Sequence, residues 1–150
     1  YSSVEWPVII LLASVIPLGA ALESNGTTEI IVQILTKYAS SMEPWLIIAI
    51  IMIITMTLSD ILNNTATTLV VAPISIQLAQ TLNLNADTFL MAVAVSASCA
   101  FLTPIGHKNN TIILGPGGYR FGDYWRMGLV LEVLIIITSI PLLLIFWPIN

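Results

Sequence analysis

Trp45 to Leu58 is a 14-residue hydrophobic run, Ser59-Asp60-Ile61-Leu62-Asn63-Asn64-Thr65 interrupts it, and Ala66 to Ala79 resumes for another 14 residues. Each arm is about 21 Å long by helical rise, short of the ~30 Å hydrocarbon core of a bilayer. Two short apolar arms joined by a polar tip predict a re-entrant hairpin over residues 44–80, dipping into the membrane and returning. The competing reading is a pair of ordinary spanning helices with a surface turn, since extending the first arm through Leu62 brings it close to the core thickness. The polar tip matters because hydrocarbon offers amides and hydroxyls no hydrogen bonds. Irregular backbone at membrane depth survives only where protein or a wet cavity surrounds it.

The Asn-Asn-Thr triplet recurs 46 positions later, at Asn109-Asn110-Thr111. It too lies within hydrophobic sequence. Phe89 to Ile105 is apolar and rich in small residues, which let membrane helices approach closely. Thr103-Pro104-Ile105-Gly106-His107-Lys108-Asn109-Asn110-Thr111 follows, before Ile112-Ile113-Leu114 resumes the apolar character. A span broken in its middle is predicted over 89–114.

The rest of the chain fits the same solvent. Of its 150 residues 57% are hydrophobic and 8% charged, with a mean hydropathy of +0.98. Soluble domains carry roughly 25% charged residues, so this chain cannot clothe a water-facing surface. Trp6 to Leu22 predicts a span over 6–22. Ile30, Ile31, Ile34 and Leu35 oppose Glu29, Gln33 and Lys37, which predicts an amphipathic interfacial helix over 27–40. Tyr119 to Trp125 mixes aromatic and charged residues as a membrane boundary does, and Gly128 to Trp147, with the single acid Glu132, predicts a final span over 127–148. The start at Tyr1, almost directly in apolar sequence, reads as a fragment of a longer protein.

Three of the four basic residues, Lys108, Arg120 and Arg126, precede the last helix, placing that side in the cytoplasm by the positive-inside rule. No basic patch points to nucleic acid. Cys99 is the sole cysteine, which rules out an intrachain disulfide.

A helix stopped inside the membrane leaves unpaired carbonyls at one end and unpaired N–H groups where the next half begins. Carbonyls, Asn amide oxygens and Thr hydroxyls form a hard, neutral oxygen cage for a small cation, while the N–H ends suit an anion. Two facing breaks would bind sodium and a carboxylate or oxyanion side by side, and a carboxylate cage would instead repel the anion. Asn63, Asn64, Thr65, Asn110 and Thr111 are the candidate residues. Lys108 would complement a divalent anion and His107 would respond to pH, or both sit at a cytoplasmic mouth with Lys108 snorkelling to water. Asp60 would hold a cation or cap the second arm.

Ser59-Asp60-Ile61-Leu62-Asn63-Asn64-Thr65-Ala66-Thr67, Phe101-Leu102-Thr103-Pro104-Ile105-Gly106-His107 and Gly115-Pro116-Gly117-Gly118-Tyr119-Arg120-Phe121-Gly122-Asp123-Tyr124 resemble the C-terminal half of a divalent anion/sodium symporter of the solute carrier 13 type. The nearest subgroup is that of bacterial permeases that often carry potassium-transporter-like C-terminal (TrkA-C) domains. The resemblance implies an all-α membrane protein forming one half of an inverted-repeat transporter, a homodimer in the bacterial inner membrane whose N-terminal half lies outside this chain. It implies sodium-coupled symport of a dicarboxylate, citrate or sulfate, and no enzymatic activity. Asn63-Asn64-Thr65 matches the family's Ser-Asn-Thr tip, with Asn63 in place of serine, and Ser59, Asn64 and Gly106 would be sodium ligands. Gly106 and Asn110 match the ends of its Gly-Thr-Pro-Pro-Asn break, with His107, Lys108 and Asn109 between them. Two alternatives stand beside this reading: a proton-coupled or antiporting relative, which His107 would serve, and a non-transporting membrane scaffold.

Overall fold

In a computed structural model, residues 24–39, 41–62 and 64–149 are described, together with Ala13, Pro17 and Ala21. Most of the predicted span over 6–22, and Asn63, lie outside the described residues. Among the described residues the fold is all-helical: α1 (Thr27–Ala39), α2 (Pro44–Ile61), α3 (Asn64–Thr81), α4 (Ala86–Ala97), α5 (Lys108–Leu114) and α6 (Phe121–Phe146).

Local chemistry sets the helix starts. Pro44 stands in the first turn of α2, where its missing N–H costs nothing. Asn85 caps α4 by accepting from the Asp87 N–H at 3.0 Å. Asp123 reaches back to the Arg120 N–H at 2.8 Å and starts α6 at Phe121, earlier than the predicted 127. The turn between α3 and α4 holds Asn83 at φ 54°, a left-handed conformation that Asn tolerates.

Several hydroxyls within the apolar helices are satisfied at home, whereas those of Thr67 and Ser75 in α3 are buried without a hydrogen-bond partner among the described residues. Thr55 donates to the Ile51 carbonyl at 2.7 Å, Thr57 to Ile53 at 2.9 Å and Ser96 to Ala92 at 2.6 Å. This back-bonding is what lets such residues sit in a membrane helix. Continued in the same way, α2 and α3 each run 18 residues, about 27 Å, longer than the 14-residue runs read from hydropathy.

α4 is the centre of the molecule, packed against α2, α3 and α6. Phe89 and Val93 on α4 meet Ile47, Ile51, Val71 and Leu78, and Ala92 packs with Ile48, Met52, Met56 and Leu143. α1 lies on α3 through Val32, Leu35 and Ala39, leaving Ile30, Ile34 and Tyr38 exposed. α6 is long and apolar, and its buried residues are Gly128, Glu132 and Leu143. Ile137 and Phe146 are 62% and 68% exposed, an outer surface that requires lipid or protein cover. α2 and α6 are each long and apolar enough to cross a membrane.

α6 runs antiparallel to α4. Its far end docks on the start of α4, where Thr88 donates to the Trp147 carbonyl at 2.9 Å and the Asn85 amide to the Pro148 carbonyl at 3.0 Å. Its near part touches the segment after α4, because Gly128 lies against main chain: a Cβ there would stand 2.3 Å from the Phe101 carbonyl oxygen. The obstacle is backbone and cannot swing aside. Gly128→Ala is therefore expected to destabilise the fold by about 1–3 kcal/mol, the cost of overpacking a close-fitted site. Thermal unfolding of the full-length protein in detergent measures it.

Candidate functional site

Ser59 departs from the pattern of the other α2 hydroxyls. Its Oγ lies 2.7 Å from the Ala97 carbonyl oxygen, at the end of α4, and 2.9 Å from Asn64 Oδ1, at the start of α3. Ser59 is fully buried. A hydroxyl has one proton, so three oxygens from three helix ends converge on a single hydrogen. An oxygen-rich, proton-poor cluster of this kind is suited to a small hard cation. Among the described residues no group of three or more His, Cys, Asp or Glu gathers to bind a metal, and this cluster is neutral.

Asp60 fastens the end of α2 to the break after α4. Its Oδ1 accepts from the Leu102 N–H at 3.0 Å and the Thr103 N–H at 3.3 Å, while its carbonyl accepts from Thr103 Oγ1 at 2.9 Å. The same Thr103 hydroxyl accepts from the Gly106 N–H at 3.0 Å. Asp60 thus satisfies donors of the other break and does not cap α3. Gly106 is glycine because the two segments touch: a Cβ there would stand 2.8 Å from Ala100 Cβ and 3.0 Å from Asp60 Cα.

Asn110 closes the break from its other side. Its amide nitrogen donates to the Ala100 and Thr103 carbonyls, both at 3.0 Å. These are carbonyls that a broken helix leaves unpaired. Thr111 donates to the Pro104 carbonyl at 2.6 Å. The Asn110 carbonyl in turn accepts from Tyr124 Oη at 2.8 Å, tying the start of α6 to the break.

Ser59, Asn64, Gly106 and Asn110 therefore come together around one stretch of main chain, residues 97–106. Thr65, Asn109 and Thr111 are exposed beside it. His107 is half-buried and caps α5, its Nδ1 accepting from the Asn109 N–H at 3.2 Å. Lys108 opens α5. Sequence reasoning missed Gly128, Tyr124 and Glu132. Glu132 is 7% exposed, and its Oε1 lies 3.5 Å from the Phe101 N–H. The one signal for it was an acid in an otherwise apolar helix.

In this all-α membrane protein the junction of α2 and α3 meets the break after α4 at a buried oxygen cluster. The chain belongs to the citrate transporter family, CitMHS, whose model matches residues 1–149. It is 37% identical over its full 150 residues to the uncharacterized transporter sll0640 of Synechocystis sp., covering 24% of that protein's length. It is 30% identical over 148 residues, 99% of the chain, to the uncharacterized transporter YfbS of Escherichia coli, again 24% of its length. It is 26% identical over 135 residues, 90% of the chain, to the sodium-dependent dicarboxylate transporter SdcS of Staphylococcus saprophyticus, 26% of its length. The chain thus spans about a quarter of each of these relatives. Family and relatives are transporters and not enzymes.

Proposed function

We propose that this chain is part of a secondary active transporter that carries a divalent anion, a dicarboxylate, citrate or sulfate, together with sodium. The observation that carries the reading is the Ser59 hydroxyl held between the Asn64 amide oxygen and the Ala97 carbonyl at 2.9 and 2.7 Å. A sodium ion there would draw on Ser59, Asn64 and the Gly106 carbonyl, and it would neutralise part of the charge of an anion bound alongside. Asn63, Thr65, His107, Lys108, Asn110 and Thr111 would face that anion. The exposure of Thr65 and Thr111 supports a half-site, completed by a second half of the permease that contributes its own hairpin and break.

Depth also supports the reading. Trp125 and Trp147 lie 22 positions apart on and just beyond α6, about 33 Å by helical rise, matching the interfacial positions that Trp prefers. Phe101 meets α6 between Gly128 and Glu132, roughly 5–10 Å inward from Trp125. With the two tryptophans at the interfaces, that level would lie within the hydrocarbon, where only a protein-lined or wet cavity admits open main chain. SdcS and a Caenorhabditis elegans relative, 29% identical over 134 residues, are both named as sodium-dependent dicarboxylate transporters. A homodimer in a bacterial inner membrane completes the proposal.

Radiolabelled succinate, citrate and sulfate uptake into proteoliposomes holding the complete permease tests it, with and without an inward sodium gradient. Uptake of at least one anion that collapses without sodium supports the reading. Equal uptake with a proton gradient alone would replace it with the proton-coupled alternative. Lys108→Gln is expected to shift preference toward monovalent anions by about tenfold, one lost charge-assisted contact, read as the ratio of succinate to lactate uptake.

A further inference from the structure

All three glutamines of the chain, Gln33, Gln77 and Gln80, line one cavity, and so does Lys37, the basic residue that stands apart from the other three. The cavity measures about 560 Å³ and lies between α1 and the end of α3. Thr36 and Thr81 also line it, and Thr36 Oγ1 is buried with no hydrogen-bond partner. No acid is among the described residues that line it. With only 8% of the chain charged, so many polar side chains in one place mark a wall built for a polar guest. Lys37 in the last turn of α1 complements the helix dipole, a role that calls for no glutamines on the neighbouring helix.

The depth of the cavity narrows the choice of guest. Thr81 lies 17 positions, about 25 Å by helical rise, from Asn64 and the ion site proposed above. The turn after it leads to α4, where Asn85 and Thr88 bond to the Pro148 and Trp147 carbonyls. The cavity is therefore at the Trp147 end of the molecule. With Trp147 at the interface that tryptophan prefers, it lies level with the lipid headgroups. Ile30 and Ile34, 59% and 56% exposed, stand three positions before Gln33 and Lys37, so an apolar surface for an acyl chain adjoins the polar one. Ammonium and amide N–H groups are donors, and donors around one positive charge fit the acceptor oxygens of a phosphodiester. We propose that this cavity binds the headgroup of an anionic phospholipid, with its phosphate against Lys37 and its hydroxyls on the glutamine amides. The lipid would fasten α1 to the end of α3, and its binding is independent of which ion drives transport.

The test is native mass spectrometry of the purified, complete permease titrated with phosphatidylglycerol, with phosphatidylcholine and with glycerol 3-phosphate. Wild type is compared with Lys37→Gln, Lys37→Arg and the pair Gln77→Leu with Gln80→Leu. Lys37 is exposed, so its replacement leaves the packing alone, and monodispersity on size exclusion checks the fold of each variant. Wild type is expected to hold one phosphatidylglycerol per protomer about tenfold more tightly than phosphatidylcholine, one charge-assisted contact's worth. Lys37→Gln should lose that tightly held lipid, Lys37→Arg should keep it, and the paired glutamine variant should hold it about tenfold more weakly. Unchanged phosphatidylglycerol binding in both Lys37→Gln and the glutamine pair overturns the inference. So does wild-type protein that takes phosphatidylcholine equally well, or that holds no lipid because another part of the permease fills the groove. Glycerol 3-phosphate that displaces the lipid at equal concentration overturns it in favour of a soluble phosphoester.

Discussion

Asn64→Ala is expected to cut sodium-driven anion uptake by roughly 10- to 100-fold, since hydrogen bonds and dipoles aimed at a charge are worth about 1.5–3 kcal/mol. The loss should fall mainly on sodium dependence. Asn64 Oδ1 contributes one of the three oxygens around the Ser59 proton, and its removal leaves the Ser59 hydroxyl bonded to the Ala97 carbonyl. The junction between hairpin and break therefore keeps its internal bond, and the variant should reach the membrane in normal amounts. A sodium titration of uptake at saturating anion reads the effect. Unchanged half-saturation for sodium would remove Asn64 from the ion site.

Asp60→Ala should act differently, through the fold. Removing this carboxylate strips the acceptor from the Leu102 and Thr103 N–H groups, each left unpaired at a cost of about 1–3 kcal/mol. The break would come away from α2, and Cys99, 7% exposed in its packed position, would open to solvent. In a background whose other cysteines are replaced, maleimide should label Cys99 slowly in the parent protein and at least tenfold faster in Asp60→Ala. Equal labelling would show that the carboxylate does not hold the junction. Asp60→Asn retains an acceptor oxygen and should lie between the two.

The helical class and the two interruptions were legible because a bilayer imposes a severe composition rule, which Ser59-Asp60 and the two Asn-Asn-Thr triplets visibly break. Of the second triplet the sequence reading named Asn110 and not Asn109, through the family resemblance and without a local physical reason. α5 turns Asn110 toward the carbonyls of residues 100 and 103 and leaves Asn109 exposed, a choice set by where the helix starts. The lengths of α2 and α3 were underestimated for a related reason. α2 continues through Asp60 to Ile61 because donors 42 and 43 positions away offset the cost of the acid, and no local signal announces such partners. Asp60 read locally as a cap or a cation ligand, and the bonds of its Oδ1 run to the Leu102 and Thr103 N–H groups of the break. Glu132 and Gly128 hide in the same way. One acid and one glycine in an apolar run look like tolerated exceptions until the Phe101 main chain is seen against them.

The account stands on two helix breaks meeting around a shared guest, and a cryo-electron microscopy map of the complete permease in lipid nanodiscs, with sodium and its transported anion, examines that directly. The predicted map places ion density within coordinating distance of Ser59 Oγ, Asn64 Oδ1 and the Gly106 carbonyl, with the anion between this junction and the other half of the permease. A map with the 59–65 tip and the 98–107 break apart, among lipid headgroups, with no density between them, would contradict it.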